Sequence, residues 1–142
     1  MKDYGRELAS AQAITTEAVS ENTWNVDAAG KNLGNAVLYA RLEVTTTFTG
    51  LDSGINIFLT DSAAAALTGD RAIAMFSSTT CSDDGVIPVG DLTEGTVLFC
   101  AFPPAIANKQ YIGAAFVPVS EAASAGAVNI DIMDVCGEVD LQ

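Results

Sequence analysis

Between Ala40 and Phe48 the chain alternates, with Ala40, Leu42, Val44, Thr46 and Phe48 on one side and Arg41, Glu43, Thr45 and Thr47 on the other. A period of two with polar groups on one side is the pattern of a half-buried strand. The three consecutive threonines add β-branched side chains that suit a pleated surface. Ile55, Ile57 and Leu59 alternate with Asn56, Phe58 and Thr60 to give a second strand. The stretch from Gly50 to Gly54 between the two reads as the five-residue loop of a hairpin. Val128, Ile130 and Ile132 alternate with Asn129, Asp131 and Met133 in the last strong strand.

Weaker patterns fill the interval. Residues 72–76 and 111–119 read as strands, and residues 24–26 as a shorter one. Residues 86–89 carry Pro88, which confines them to an edge. Residues 97–102 are almost entirely apolar and predict a strand buried on both faces, stopped by Pro103 and Pro104. Residues 62–67 hold four consecutive alanines and fit a helical turn or a loop equally, ended by Thr68, Gly69 and Asp70. About eight strands with turn signals between them, and no long helical period, predict an all-β fold: an antiparallel, jelly-roll-like sandwich.

Residues 1–22 differ from the rest. They are rich in Ala, Thr, Ser and Glu, and Tyr4, Leu8 and Ala11 fall at helical spacing. A helix that short is marginal by itself. The segment is read as an N-terminal arm lying along the domain or on a neighbour, and residues 23–142 as a single β-sandwich domain. A chain of 142 residues suits one domain with a sizeable core.

Charge and composition narrow the function. Asp plus Glu outnumber Lys plus Arg by 18 to 6, for a net charge of -12. Nucleic-acid binders draw affinity from basic side chains that displace counterions. Here Lys2, Arg6, Lys31, Arg41, Arg71 and Lys109 are scattered, so no nucleic-acid partner is expected. No membrane partner is expected either. The longest charge-free stretch, between Glu94 and Lys109, is broken by two prolines and falls short of the roughly 20 apolar residues of a spanning helix. The first residues mix charges and do not read as a signal peptide.

Candidate chemistry is sparse. Histidine is absent, which removes Ser-His-Asp triads, Cys-His pairs and His metal sites. Cys81, Cys100 and Cys136 have no metal or redox spacing and read as free thiols, although a Cys81–Cys100 bridge stays open. Asp83 and Asp84 are adjacent loop acids without the alternating ligands of a calcium loop. Asp52, Asp61, Asp70 and Asp91 fall at turns or strand ends, where aspartate bonds its own backbone. Gly30 and Gly34 flank Lys31 but lack the spacing of a phosphate loop. No enzyme, cofactor or metal site is expected.

One set of segments resembles a known family. Ser10-Ala11-Gln12-Ala13-Ile14-Thr15, then Ser20-Glu21-Asn22 and Trp24-Asn25-Val26, is similar to the N-terminal signature of a tailed-phage head decoration, or cement, family. Residues 38–49, ending in Thr-Thr-Thr-Phe-Thr, resemble that family's long strand. Lys109-Gln110-Tyr111-Ile112, Ala125-Gly126 and residues 128–132 resemble its last hairpin. Residues 77–107 are more elaborate than the family's middle region, and residues 134–142 extend past its last strand.

The resemblance implies a jelly-roll-like domain that binds the outer surface of a phage capsid as a homodimer or homotrimer. Such a protein bridges capsomers of the major capsid protein, passing through the host cytoplasm during assembly. Tyr4, Leu8 and Ile14 are then the apolar anchors of the arm. Trp24 is the strongest interface candidate by residue type, with packing in the core or at an edge as the alternative. Phe58, facing away from Ile55, Ile57 and Leu59, reads either as a surface residue of a subunit interface or as buried under the arm. The alternative reading is a jelly-roll carbohydrate- or receptor-binding module of a virion.

Overall fold

The computed structural model describes residues 7–25, 38–51, 53–67, 71–78, 80–81, 85–102, 111–119 and 122–134. Nine strands form in chain order: β1 (Glu7–Ala13), β2 (Ala18–Val19), β3 (Trp24–Asn25), β4 (Leu38–Thr49), β5 (Gly54–Ser62), β6 (Arg71–Met75), β7 (Val97–Phe102), β8 (Tyr111–Val119) and β9 (Ala125–Asp134). They make two sheets. Sheet A has the order β1-β9-β4-β7, and sheet B the order β2-β8-β5-β6, with β3 also pairing β8. Every pairing is antiparallel.

β2 and β3 meet β8 at Phe116 and Ala115 and at Ile112 and Tyr111, as two pieces of one interrupted strand. Counted so, the pairings nest. The first strand pairs the last (β1 with β9), the second pairs the second-last (β2 and β3 with β8), the third pairs the third-last (β4 with β7), and the middle two (β5 and β6) pair each other.

The alternation read from the sequence explains the core. Ala40, Leu42 and Val44 of β4 and Val128, Ile130 and Ile132 of β9 turn inward from sheet A, facing Ile55, Ile57, Leu59, Ile112, Ala114 and Phe116 of sheet B. Phe48, Phe76, Ile87 and Leu92 join the same cluster. Each fully buried side chain of this kind contributes about 1.5–3 kcal/mol. Gly126 on β9 has φ +151, and a Cβ there would collide with the Phe48 ring, so the absent side chain is what lets that ring lie against the strand.

Three expectations are corrected. β4 and β5 do not pair as a hairpin: β4 pairs β7 and β9 in sheet A, and β5 pairs β6 and β8 in sheet B. Gly50 and Gly54, at φ 84 and 125, instead carry the chain from one sheet to the other. The two apolar sets therefore face across the core, a solution the alternation permits equally well. Over residues 7–13 the chain is a strand rather than part of a helical turn, and the arm is not separate where it is described: β1 pairs β9, and Leu8 and Ile14 are fully buried in the common core. β7 is not buried on both faces. It lies at the edge of sheet A, and Phe99 and Ala101 are exposed on its outer side. Asp61 lies at the end of β5, as its sequence position implied, and is buried there.

Candidate functional site

The inner faces of both sheets are committed to the core, so a binding surface must come from outward side chains. On sheet B, β5 turns Ile57 and Leu59 in and Phe58 out, and β8 turns Ala114 and Phe116 in and Ala115 and Val117 out. On β6 Ala74 packs on the core while Met75 is exposed, and on β2 Ala18 packs on the core while Val19 is exposed. The register then aligns these outward residues. Val19 stands opposite Ala115, Ala115 opposite Phe58, and Phe58 opposite Met75.

An uncharged apolar row, Val19–Ala115–Phe58–Met75, thus crosses all of sheet B. Its two ends are two of the three exposed large apolar residues of the described chain, at 39% and 38%. Two features border it. Leu67 lies over Gly113, where a Cβ would collide with it, so the turn after β5 covers the neighbouring part of the sheet. Gly85 lies against the Met75 sulfur, again with no room for a Cβ.

The outer face of sheet A is different. Phe99, Arg41, Asp131 and Glu7 stand in register across β7, β4, β9 and β1. Arg41 Nη1 lies 3.4 Å from Glu43 Oε1 on the same face. Tyr39, opposite Ala101 and Met133, adds a second aromatic, and Phe99 is the most exposed large apolar residue described, at 53%. This face mixes charge with aromatic surface.

The five residues singled out in the sequence separate. Leu8 and Ile14 are core residues. Trp24 is buried on β3 opposite Ile112. Tyr4 lies outside the described residues. Of the four that are described, Phe58 alone reaches an outer face, half-buried within the apolar row. Val19, Ala115, Met75 and Phe99 escaped the sequence reading. β2 is too short to display a period, Ala115 is too small to attract notice, and Phe99 was hidden in an all-apolar run. Met75 lay in residues 72–76, an all-apolar run that shows no facing.

The signature segment has a structural use. Gln12 donates through Nε2 to the Val19 carbonyl at 2.9 Å and accepts from the Glu21 backbone nitrogen at 2.8 Å. Glu21 Oε1 accepts from the Ser10 nitrogen at 2.8 Å, and the Asn22 nitrogen donates to the Leu8 carbonyl at 3.0 Å. Ser20 Oγ donates to the Asn22 carbonyl at 2.8 Å and accepts from the Ala114 nitrogen at 3.0 Å. The bonds of Gln12, Glu21 and Asn22 stitch β1 of sheet A to the segment of sheet B that follows it, and those of Ser20 tie that segment to β8. They satisfy backbone groups that an edge strand would otherwise leave open.

Among titratable groups, Asp91 accepts from the Ser78 hydroxyl at 2.6 Å and also from the Thr80 hydroxyl. Both bonds favour the charged form and hold its carboxyl below the ordinary value. Cys100 is pushed up to about 11 by burial, against a smaller lowering from a hydrogen bond with the Met75 backbone. Cys81 and Cys100 are both free thiols, which closes the question of a bridge between them. No group of three or more metal-ligating side chains occurs among the described residues, of which Asp52, Asp70, Asp83, Asp84, Lys31 and Cys136 are not members. No helix among the described residues is long and apolar enough to cross a membrane. No protein-family model and no curated protein sequence matches the chain.

Proposed function

We propose that the chain is a structural virion protein that binds the outside of a tailed-phage head and bridges its capsomers. The observation that carries this reading is the nested strand pairing, which we infer to be a jelly roll, the fold that the resemblance implies. The segments that bear the resemblance are also neighbours in space. Residues 10–13 lie on β1, residues 38–49 on β4 and residues 125–132 on β9, three adjacent strands of sheet A. The 20–22 segment is hydrogen-bonded to β1. Trp24-Asn25 and Tyr111-Ile112, which also carry the resemblance, pair with each other in sheet B. This proximity of the segments within each sheet supports the reading.

Such a role needs no chemistry, only surfaces. A decoration protein engages many symmetric sites, so each contact can be modest and still hold through linkage. Two unlike outer faces suit a protein that must meet both its own copies and the major capsid protein. The test is the temperature at which DNA-filled heads lacking their decoration release their genome. Added protein raises that temperature if capsomers are bridged, and an unchanged temperature would contradict the role.

A second reading draws on one observation. Phe99 and Tyr39 share the outer face of sheet A with Arg41, Asn129 and Asp131, an aromatic and polar mixture that suits a sugar or receptor. Strong binding on a glycan array, abolished by Phe99→Ala, would favour it.

A further inference from the structure

We propose that two copies of this chain pair face to face through the outer surface of sheet B, about a two-fold axis running along the strands between Ala115 and Phe58. This deepens the proposed function by naming the surface used for self-association, and it rests on that reading only for its purpose.

The order of residues along the row is the first argument. Rotation about such an axis reverses the row, so Phe58 lies over the partner's Ala115 and Met75 over the partner's Val19. The bulky side chain of the centre meets the smallest one, and the flexible methionine meets a branched valine. One step along the strands, Val117 meets the partner's Asn56, because Val117 and Asn56 stand opposite each other within one copy. Stacked sheets interdigitate in this way, and the contact extends from the row toward Val117 and Asn56, since on the other side the turn carrying Leu67 already covers the sheet at Gly113.

Charge is the second argument, and it selects the occupant. Two copies that each carry -12 repel one another. They can approach closely only where carboxylates are absent. Val19, Ala115, Phe58, Met75, Val117 and Asn56 carry none, whereas the outer face of sheet A presents Glu7, Glu43 and Asp131. The interface is isologous, so it closes at the dimer and leaves sheet A outward on both copies.

The experiment is sedimentation of the purified full chain over a range of concentrations, with Val19→Lys, Met75→Glu and the double variant. Both positions are exposed, and far-UV circular dichroism with thermal melting verifies that each variant folds. The wild type is expected to form a dimer that tightens as salt screens the repulsion. Each single variant weakens the dimer about tenfold or more. The double variant recovers it, because the introduced ammonium of one copy then faces the introduced carboxylate of the other; a merely structural disturbance would not be rescued. A monomer at every concentration, a trimer, insensitivity to the single changes, or a double variant no better than the singles would overturn the pairing. None of these outcomes bears on whether heads are bound, so the two proposals fail separately.

Discussion

The side-chain oxygen of Asn129 on β9 accepts a hydrogen bond from the backbone nitrogen of Ala11 on β1. The contact falls where the ladder is irregular. Between Glu7 and Ala13 the register slips twice, so that seven residues of β1 run beside the five from Asp131 to Ala127. Ala11 itself has φ 48, a left-handed conformation that costs an L-residue roughly 1–2 kcal/mol. The Asn129 amide satisfies the nitrogen that this irregularity removes from the ladder.

Asn129→Ala is expected to lower stability by about 1 kcal/mol, the ordinary worth of a hydrogen bond. Ala11→Gly is expected to raise it by about 0.5 kcal/mol, since relief of the left-handed strain exceeds the added freedom of glycine when unfolded. Urea unfolding of the two variants checks both signs.

Leu8 separates an arm from a strand. A side chain on a loose arm could be truncated at little cost to the domain, whereas Leu8 is fully buried with Ile14 in the common core. Leu8→Ala should cost about 2–5 kcal/mol. A thermal melt unchanged by the substitution would contradict the placement of β1.

Much of the fold was legible because the long strands alternate. Residues 40–44, 55–59 and 128–133 announced both the strand and its inward side, and Phe58 was assigned outward by that logic. Thr46, grouped with the inner set, is exposed, and Thr60, grouped with the outer set, is buried, each beside a shift of register. What alternation cannot carry is partnership. A strand of period two is equally content beside its sequence neighbour or across the core from it, which is why the turn at Gly50–Gly54 read as a hairpin. The N-terminal strand was hidden for a different reason. Its irregular register breaks the period, so Leu8 and Ala11 sat at a helical spacing by accident. The apolar row was illegible because it joins four strands through pairings that only the fold supplies.

The Ser78, Thr80 and Asp91 contacts give the stability an acid dependence. The Asp91 carboxyl titrates below its ordinary value in the folded state. Its contribution is therefore present above the unfolded value and is lost as the pH falls through the lowered one. Asp91→Asn should melt at a lower temperature than the wild type at neutral pH. The difference should shrink below about pH 4, and melting curves across that range check it.

Cys100 and Cys81 should differ in reactivity. With its thiol pushed up to about 11, Cys100 carries almost no thiolate at neutral pH and is shielded by the core. In a Cys136→Ser background, Ellman's reagent should modify Cys81 in the native protein and Cys100 only on unfolding. Prompt modification of both would place Cys100 nearer the surface than the core assignment allows.

The central claim is that this chain decorates a phage head, and co-sedimentation with undecorated heads tests it most directly. Saturable binding at a fixed ratio to the capsid subunit, a ratio that corresponds to sites between capsomers, is the predicted result. No co-pelleting at any concentration, with the protein folded, would contradict it.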